Sequence, residues 1–125
     1  MSLKNPSRVR DVMTAPPETI SRDATVSEAA DRIRNEDIDA LVVTASPPAV
    51  VTSSDVLAAA AEGNDTATTP VTEIATGAVE TVPPTLRTEG VAAMMESLGA
   101  EYLPVEDDSD YVGVVSAEDL PLAAR

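Results

Sequence analysis

The chain has 125 residues, with 22 acidic side chains against 8 basic ones and a formal net charge of −14 at pH 7. It contains neither cysteine nor histidine, which excludes disulfide bonds and thiolate metal sites and removes the commonest general base. So acidic a surface repels nucleic acid and anionic membranes, because both are bound mainly through lysine and arginine. Composition therefore predicts a protein that is not an enzyme, needs no cofactor and binds neither nucleic acid nor membrane.

Further features of the composition concern the environment of the protein. No apolar run is long enough to span a bilayer, and the N-terminus has no secretion signal, so we expect a cytoplasmic protein. Aspartate, glutamate, alanine, threonine and valine are abundant, and Lys4 is the single lysine. This pattern is typical of proteins adapted to a salty cytoplasm, in which acidic residues form a solvated coat over a folded core.

The chain also contains an internal repeat. Residues 9–14 (VRDVMT) return 62 positions later as residues 71–76 (VTEIAT), and after a two-residue slip residues 50–52 align with residues 114–116. A single copy of about 60 residues would be marginally stable, so the two copies are expected to pack together and to create two related clefts. We divide the chain into an N-terminal extension (1–8), a first repeat (9–62), a linker (63–70) and a second repeat (71–125).

The first repeat predicts, in chain order, a strand, a helix, a hairpin and a second helix. The strand is Thr19-Ile20, the first helix runs over 26–36, the hairpin pairs 40–43 with 49–51, and the second helix follows Thr52 and ends at Gly63. Thr25 with Glu28 three residues later is the pattern of a capping box at the start of the first helix.

The second repeat predicts the same order. A strand is expected over 79–82, a helix over 88–97 ended by Gly99, a hairpin of 102–105 with 111–115 around the turn 106–110, and a final helix opening at Ser116. The predicted fold class is therefore α/β in the broad sense, that is, a mixed α+β protein.

The candidate ligand-binding residues follow the last strand of each repeat. Thr52 and Asp55 in the first repeat match Ser116 and Asp119 in the second, so a hydroxyl stands at a helix N-terminus with a carboxylate one turn later. Such a pair suits a ribose with a phosphate, because helix amides favour anions and a carboxylate accepts hydrogen bonds from a diol. The alternative is that both pairs are ordinary N-caps.

These motifs together resemble a cystathionine-β-synthase-like (CBS) domain pair, also called a Bateman module. The resemblance is carried by Asp11-Val12-Met13-Thr14, by Thr25 to Ala30, by Leu41-Val42-Val43 and by the hydroxyl-x-x-Asp motifs. Residues 113–119 (GVVSAED) match the family's Gly-apolar-x-Ser/Thr-x-x-Asp signature, whereas the first repeat has Ala49 in place of the glycine.

The resemblance implies two βαββα repeats about a pseudo-twofold axis, with clefts that bind adenosyl compounds. It implies a regulatory module that dimerises with a second copy and acts on an unidentified protein. By the resemblance, one cleft combines Thr14, Pro17, Glu18, Ser116, Glu118 and Asp119. The other combines Thr76, Val79, Glu80, Thr52, Ser54 and Asp55. Tyr102 is a further candidate for stacking on the base, and the alternative is that it packs at a strand edge.

The charge near the clefts bears on the choice of ligand. Phosphate-binding members of the family often carry histidine or arginine just before the second strand, where this chain has Asp39 and Glu101. Like-charge repulsion then disfavours ATP and favours AMP, NAD or S-adenosylmethionine, unless these two side chains are simply solvated. The alternative function is a ligand-free scaffold for dimerisation or protein interaction.

Overall fold

The computed structural model describes residues 8–76 and 80–121. In chain order the elements are α1 (Val9–Val12), β1 (Thr19–Ser21), α2 (Val26–Glu36), β2 (Ala40–Thr44), β3 (Ala49–Thr52), α3 (Ser53–Ala61), α4 (Thr88–Leu98), β4 (Tyr102–Asp107) and β5 (Asp110–Ser116), with 3-10 turns at Val71–Glu73 and Ala117–Asp119. No helix in the described ranges is long and apolar enough to cross a membrane. The mixed α+β class is confirmed.

The described residues form two compact units. The continuous unit contains residues 18–76, and the composite unit combines residues 8–17 with residues 80–121. The units therefore divide the chain at different positions from the sequence repeats, because the segment that opens each repeat belongs to the unit built around the other repeat's hairpin.

The continuous unit is built on a three-stranded sheet in the order β1-β2-β3. β1 runs parallel to β2, with Ile20 opposite Val43, and β2 pairs antiparallel with β3, with Leu41 opposite Val51. Leu41, Val43 and Val51 are fully buried in a cluster that also contains Ala29 of α2. The apolar runs predicted as a hairpin thus form the centre of this core, as expected for β-rich segments.

Helix α2 begins and ends where its sequence predicts. Thr25 Oγ1 accepts a hydrogen bond from the Glu28 N–H, and the Glu28 carboxylate accepts one from the Thr25 N–H, so the capping box is confirmed. The two amides between Thr25 and Glu28 are also satisfied: the Val26 and Ser27 N–H groups donate to carbonyls of the 63–70 segment at 2.9 and 2.8 Å. This segment, predicted as a linker, therefore helps to cap α2.

The composite unit contains the β4–β5 hairpin, in which Leu103 lies opposite Val115. The predicted five-residue turn over 106–110 is wrong, because β4 extends to Asp107 and β5 begins at Asp110. Asp108 and Ser109 alone form the turn, with φ values of 53° and 69°. Two successive left-handed residues match the right-handed twist of the paired strands, which is why short hairpin turns use them.

Two other predicted elements of the second repeat are also corrected. A strand is predicted over 79–82, but Val82 makes only one parallel bridge, to Val105, and Val79 lies outside the described residues. Pro83 and Pro84 follow Val82 and lack the N–H that a longer ladder needs. The predicted final helix is the 3-10 turn Ala117–Asp119. Leu120 after it is extended, as the residue before a proline tends to be.

Candidate functional site

The hydroxyl-x-x-Asp motif of the continuous unit is a complete capping box. Thr52 Oγ1 accepts a hydrogen bond from the Asp55 N–H at 3.1 Å, and Asp55 Oδ2 accepts one from the Thr52 N–H at 2.9 Å. The motif forms here because β3 leads directly into α3, whose first amides need acceptors.

The composite unit repeats this geometry at Ser116 and Asp119. Ser116 Oγ accepts from the Asp119 N–H at 3.2 Å, and Asp119 Oδ2 accepts from the Ser116 N–H at 2.9 Å. Both aspartates are half-buried, and neither Oδ1 atom takes a hydrogen bond from another described residue. The structure therefore bears out the N-cap interpretation, while each carboxylate keeps an oxygen with which to accept from a ligand.

The segment that opens each repeat pairs with a strand of its unit, and that strand is the one that ends in the hydroxyl-x-x-Asp motif. We name residues 8–17 the N-terminal arm and residues 70–76 the internal arm. In the composite unit Thr14 exchanges two backbone hydrogen bonds with Val114 of β5, at 2.9 and 3.0 Å. In the continuous unit Thr76 exchanges two with Val50 of β3, at 2.9 and 3.3 Å. Each arm thus pairs with the strand that ends in the motif.

Further hydrogen bonds to backbone carbonyls anchor the N-terminal arm. The Val9 N–H donates to the Leu86 carbonyl at 2.8 Å, and the Arg8 guanidinium donates to the Thr85 carbonyl at 2.6 Å. Val9 is fully buried, as is the equivalent Val71 of the internal arm, which donates its N–H to the Ala24 carbonyl. Sequence reasoning missed α1, since four residues are too few to show helical periodicity.

The residue before β2 or β4 also contacts the motif in its unit. The Asp39 carbonyl accepts from the Ser53 N–H at 2.9 Å, and the Glu101 carbonyl accepts from the Ala117 N–H at 2.8 Å. Asp39 and Glu101, the acidic residues that precede β2 and β4, therefore lie beside the first residue after β3 and β5, respectively. Their carbonyls accept from an amide that would otherwise be available to an anion.

The structure brings most of the predicted site residues into two sets. The composite unit holds Thr14, Pro17, Tyr102, Ser116, Glu118 and Asp119, and the continuous unit holds Thr52, Ser54, Asp55 and Thr76. Thr14, Thr76, Ser54 and Glu118 are exposed, and Tyr102 is half-buried directly opposite Ser116 in the hairpin register. Glu18 belongs to the continuous unit, although the residues predicted to share its cleft belong to the composite unit. Glu80 belongs to the composite unit, although the residues predicted to share its cleft belong to the continuous unit, and Val79 lies outside the described residues.

Glu18 is engaged by a cation in the continuous unit. Arg32 of α2 forms an ion pair with Glu18 at 2.9 Å, donates to the Thr19 carbonyl at 2.9 Å and pairs with Glu36 one turn along the helix. Hydrogen bonding to Glu36 raises the pKa of Arg32, and the same hydrogen bond lowers the pKa of Glu36. Arg32 therefore ties the start of β1 to α2, a role that no sequence motif signalled.

Comparison with known proteins places these features in a family. A family model described as the CBS domain matches residues 9–62 and 71–122. The CBS domain-containing protein YhcV of Bacillus subtilis is 29% identical over 117 residues, covering 91% of this chain and 83% of that protein.

Solved structures give the same result. A hexameric CBS-CP12 protein from bloom-forming cyanobacteria is 28% identical with a TM-score of 0.82, covering 90% of this chain and 68% of that one. The CBS domain pair of protein MJ0100, solved in complex with 5′-methylthioadenosine and S-adenosyl-L-methionine, is 28% identical with a TM-score of 0.76, covering 90% of each chain.

The Arg32 network predicts an acid-dependent contribution to stability. Met94 is the repeat equivalent of Arg32, so Arg32→Met removes the cation with a side chain already used at that position. Loss of the contacts with Glu18 and the Thr19 carbonyl should lower the free energy of unfolding at neutral pH by about 1 kcal/mol. Because the folded-state pKa of Glu36 is lowered, its contribution is present above its unfolded pKa and is lost as pH falls through the folded value.

Thermal unfolding from about pH 7 to about pH 3 measures both effects. The difference between wild type and Arg32→Met should shrink towards the acid end. Arg34→Met on the same helix is the matched control, since its partner Asp31 lies 3.5 Å away and both side chains are largely exposed. An equal loss in the two variants, or a difference independent of pH, would contradict this role for Arg32.

Proposed function

This chain belongs to the CBS domain family, and from that premise we propose that it is a regulatory module that binds an adenosine-containing ligand. One observation carries the proposal. In each unit an arm threonine is paired onto the strand whose end bears a hydroxyl and an aspartate whose Oδ1 accepts no hydrogen bond from a described residue. The MJ0100 domain pair, a structural relative, holds two adenosyl ligands in its solved structure.

The residues of each set have complementary roles in the proposed sites. Oδ1 of Asp119 would accept hydrogen bonds from the ribose hydroxyls, and Ser116 and Thr14 would offer hydroxyls to the rest of the ligand. Tyr102, opposite Ser116, would pack against the base. In the continuous unit Asp55, Thr52 and Thr76 would take the equivalent places, with Ser54 beside them.

The acidic surroundings favour a ligand with little negative charge. Asp39 and Glu101 stand at the turns where a phosphate would have to lie, and their carbonyls already occupy the first amide of each turn. Both side chains are exposed, so solvent moderates their repulsion of a phosphate, which grows with the number of phosphate charges. We therefore rank S-adenosylmethionine, 5′-methylthioadenosine, AMP and NAD above ATP.

The proposed module senses its ligand and acts on a partner protein, without catalysing a reaction. The hydroxyl-x-x-Asp residues are engaged in caps that hold their geometry, and neither a histidine nor a cysteine is present in the sequence to act as nucleophile or general base. We propose that this activity takes place in the cytoplasm.

Calorimetric titration with S-adenosylmethionine, AMP, NAD and ATP tests the proposal. We expect at least one of the first three to bind more tightly than ATP. Asp119→Ala and Asp55→Ala should each weaken the site of their own unit by about 1.5–3 kcal/mol, because a charge-assisted hydrogen bond to the ribose is lost. Absence of heat and of a thermal shift with all four compounds would reject the proposal.

A capping-box variant away from the sites provides the control. Glu28→Ala removes the same kind of cap from α2, so it should cost about 1 kcal/mol of stability and leave every ligand affinity unchanged. If Glu28→Ala weakened binding as much as Asp119→Ala, the aspartate effect would be due to stability and the assignment of Asp119 would fail.

We further propose that the acidic coat adapts the protein to high salt. The net charge of −14 is carried on a chain of 12.9 kDa, so self-repulsion in the folded state is strong when unscreened. Raising KCl from about 0.1 M to about 2 M should increase the melting temperature by about 5 °C. A double variant, Asp107→Asn with Asp108→Asn at the exposed hairpin turn, should respond less, and identical melting temperatures at both salt concentrations would contradict the adaptation.

A second candidate function, a self-associating scaffold, is favoured by the surface of α3. Leu57 is 72% exposed, and Ala58, Ala60 and Ala61 on the same helix are exposed as well. Small side chains allow a second helix to approach closely, and an isolated exposed leucine among them adds apolar area. We propose that a second copy of this chain covers α3 to give a homodimer.

Light scattering coupled to size exclusion tests this interface. Leu57→Asp should convert the dimer to monomer at micromolar concentration, because it places a charge in an apolar contact. Leu98→Asp, at the other leucine that is exposed among the described residues, should leave the mass unchanged. A monomeric wild type, or dissociation by Leu98→Asp instead, would exclude the α3 interface. A dimer that binds none of the four compounds would favour the scaffold over the sensor.

A further inference from the structure

Gly113 lies where the N-terminal arm meets β5 in the composite unit. A Cβ atom at this position would stand 2.6 Å from Met13 Sδ and 3.0 Å from the Thr14 carbonyl oxygen. The φ of Gly113 does not lie in the left-handed region, so backbone conformation does not require glycine. The requirement is steric: the residue is buried, and the Met13 side chain and the Thr14 backbone fill the space that a side chain would need.

The continuous unit makes the same junction with the opposite distribution of sizes. By the repeat alignment Ala75 stands for Met13 and Ala49 stands for Gly113. A large side chain on the arm thus lies against a strand residue without a side chain in the composite unit, whereas the equivalent positions of the continuous unit are both alanine. Ala49 and Ala75 are packed in the same apolar cluster.

The backbone distances follow this difference in size. The Val114 N–H donates to the Thr14 carbonyl at 3.0 Å, whereas the equivalent bond from Val50 to Thr76 measures 3.3 Å. The reverse bonds, from the threonine N–H groups, are both 2.9 Å. The arm carbonyl therefore lies closer to the strand where the strand residue is glycine.

We propose that Met13 and Gly113 are a matched pair of positioning residues that selects the N-terminal arm for β5 and fixes Thr14 beside the Ser116–Asp119 motif. Ala75 and Ala49 do the same for the internal arm on β3. The role of this pair in ligand binding rests on the proposed function, because Thr14 is one of the proposed ligand residues. Interchanging the arms would place Met13 against the Ala49 side chain, and overpacked contacts of this kind are destabilising.

Amide hydrogen exchange measured on the full chain tests the pairing without any ligand. Gly113→Ala should accelerate exchange of the Thr14 and Val114 amides by about tenfold or more, because the arm is displaced from β5. Adding Met13→Ala to it should restore most of the protection, since this double variant reproduces the alanine pair of the other unit. The Thr76 and Val50 amides should exchange as in the wild type throughout, which shows that the continuous unit is intact.

Transplanting the pair in the other direction provides a mirror experiment. Ala75→Met should accelerate exchange of the Thr76 and Val50 amides, and the double variant Ala75→Met with Ala49→Gly should restore their protection. Unchanged exchange in Gly113→Ala, or a double variant as unprotected as Gly113→Ala alone, would overturn the matched pair. If Gly113→Ala does not fold, recovery of the folded state by adding Met13→Ala supports the proposal, and failure to recover it counts against it.

Titration with S-adenosylmethionine then separates positioning from stability. Gly113→Ala should weaken the composite-unit site about tenfold, and the double variant with Met13→Ala should recover affinity in parallel with its exchange protection. Affinity that stays at the wild-type value while the arm exchanges freely would overturn the positioning role. If the wild type binds no S-adenosylmethionine, AMP or NAD, the proposed function fails, while the exchange experiments still decide the matched pair.

Discussion

The pairing of each arm with the last strand of its hairpin is the interaction on which the rest of the structure depends. Four backbone hydrogen bonds, two at Thr14 and two at Thr76, bring segments distant in sequence onto β5 and β3. These bonds place Thr14 and Thr76 on the strands that lead into the hydroxyl-x-x-Asp motifs, where the proposed sites lie. Because backbone donors and acceptors make these bonds, the same junction forms in both units, with a different pair of side-chain sizes beside it in each.

The two motifs join a structural and a chemical role in one side chain. Asp55 and Asp119 each use one oxygen to close a capping box, which fixes the carboxylate, and under the proposed function the other oxygen would accept from a ligand. A site preorganised in this way loses less entropy on binding. The carbonyls of Asp39 and Glu101 accept from amides of the same turns, and under the proposed function the exposed charges of these residues would disfavour a polyphosphate.

Local features of the sequence predicted most of the first repeat. Thr25 with Glu28, the apolar spacing of α2 and the valine-rich runs each act within a few residues, and all three gave elements that the structure confirms. Predictions for the second repeat failed where a local signal was outweighed by prolines or by strand pairing. Pro83, Pro84 and Pro121 shortened a strand and a helix, and hairpin pairing reduced a five-residue acidic turn to Asp108 and Ser109.

The sequence by itself determined the repeat, and it determined helices α2 and α3, their capping boxes and the identity of the candidate aspartates because each of these is encoded by residues close together in the chain. The family resemblance already implied which arm joins which hairpin, whereas tertiary structure alone decided that Arg32 holds Glu18 and that Met13 lies over Gly113. These contacts join residues from 14 to 100 positions apart, and they depend on size and hydrogen-bonding complementarity that no local pattern records.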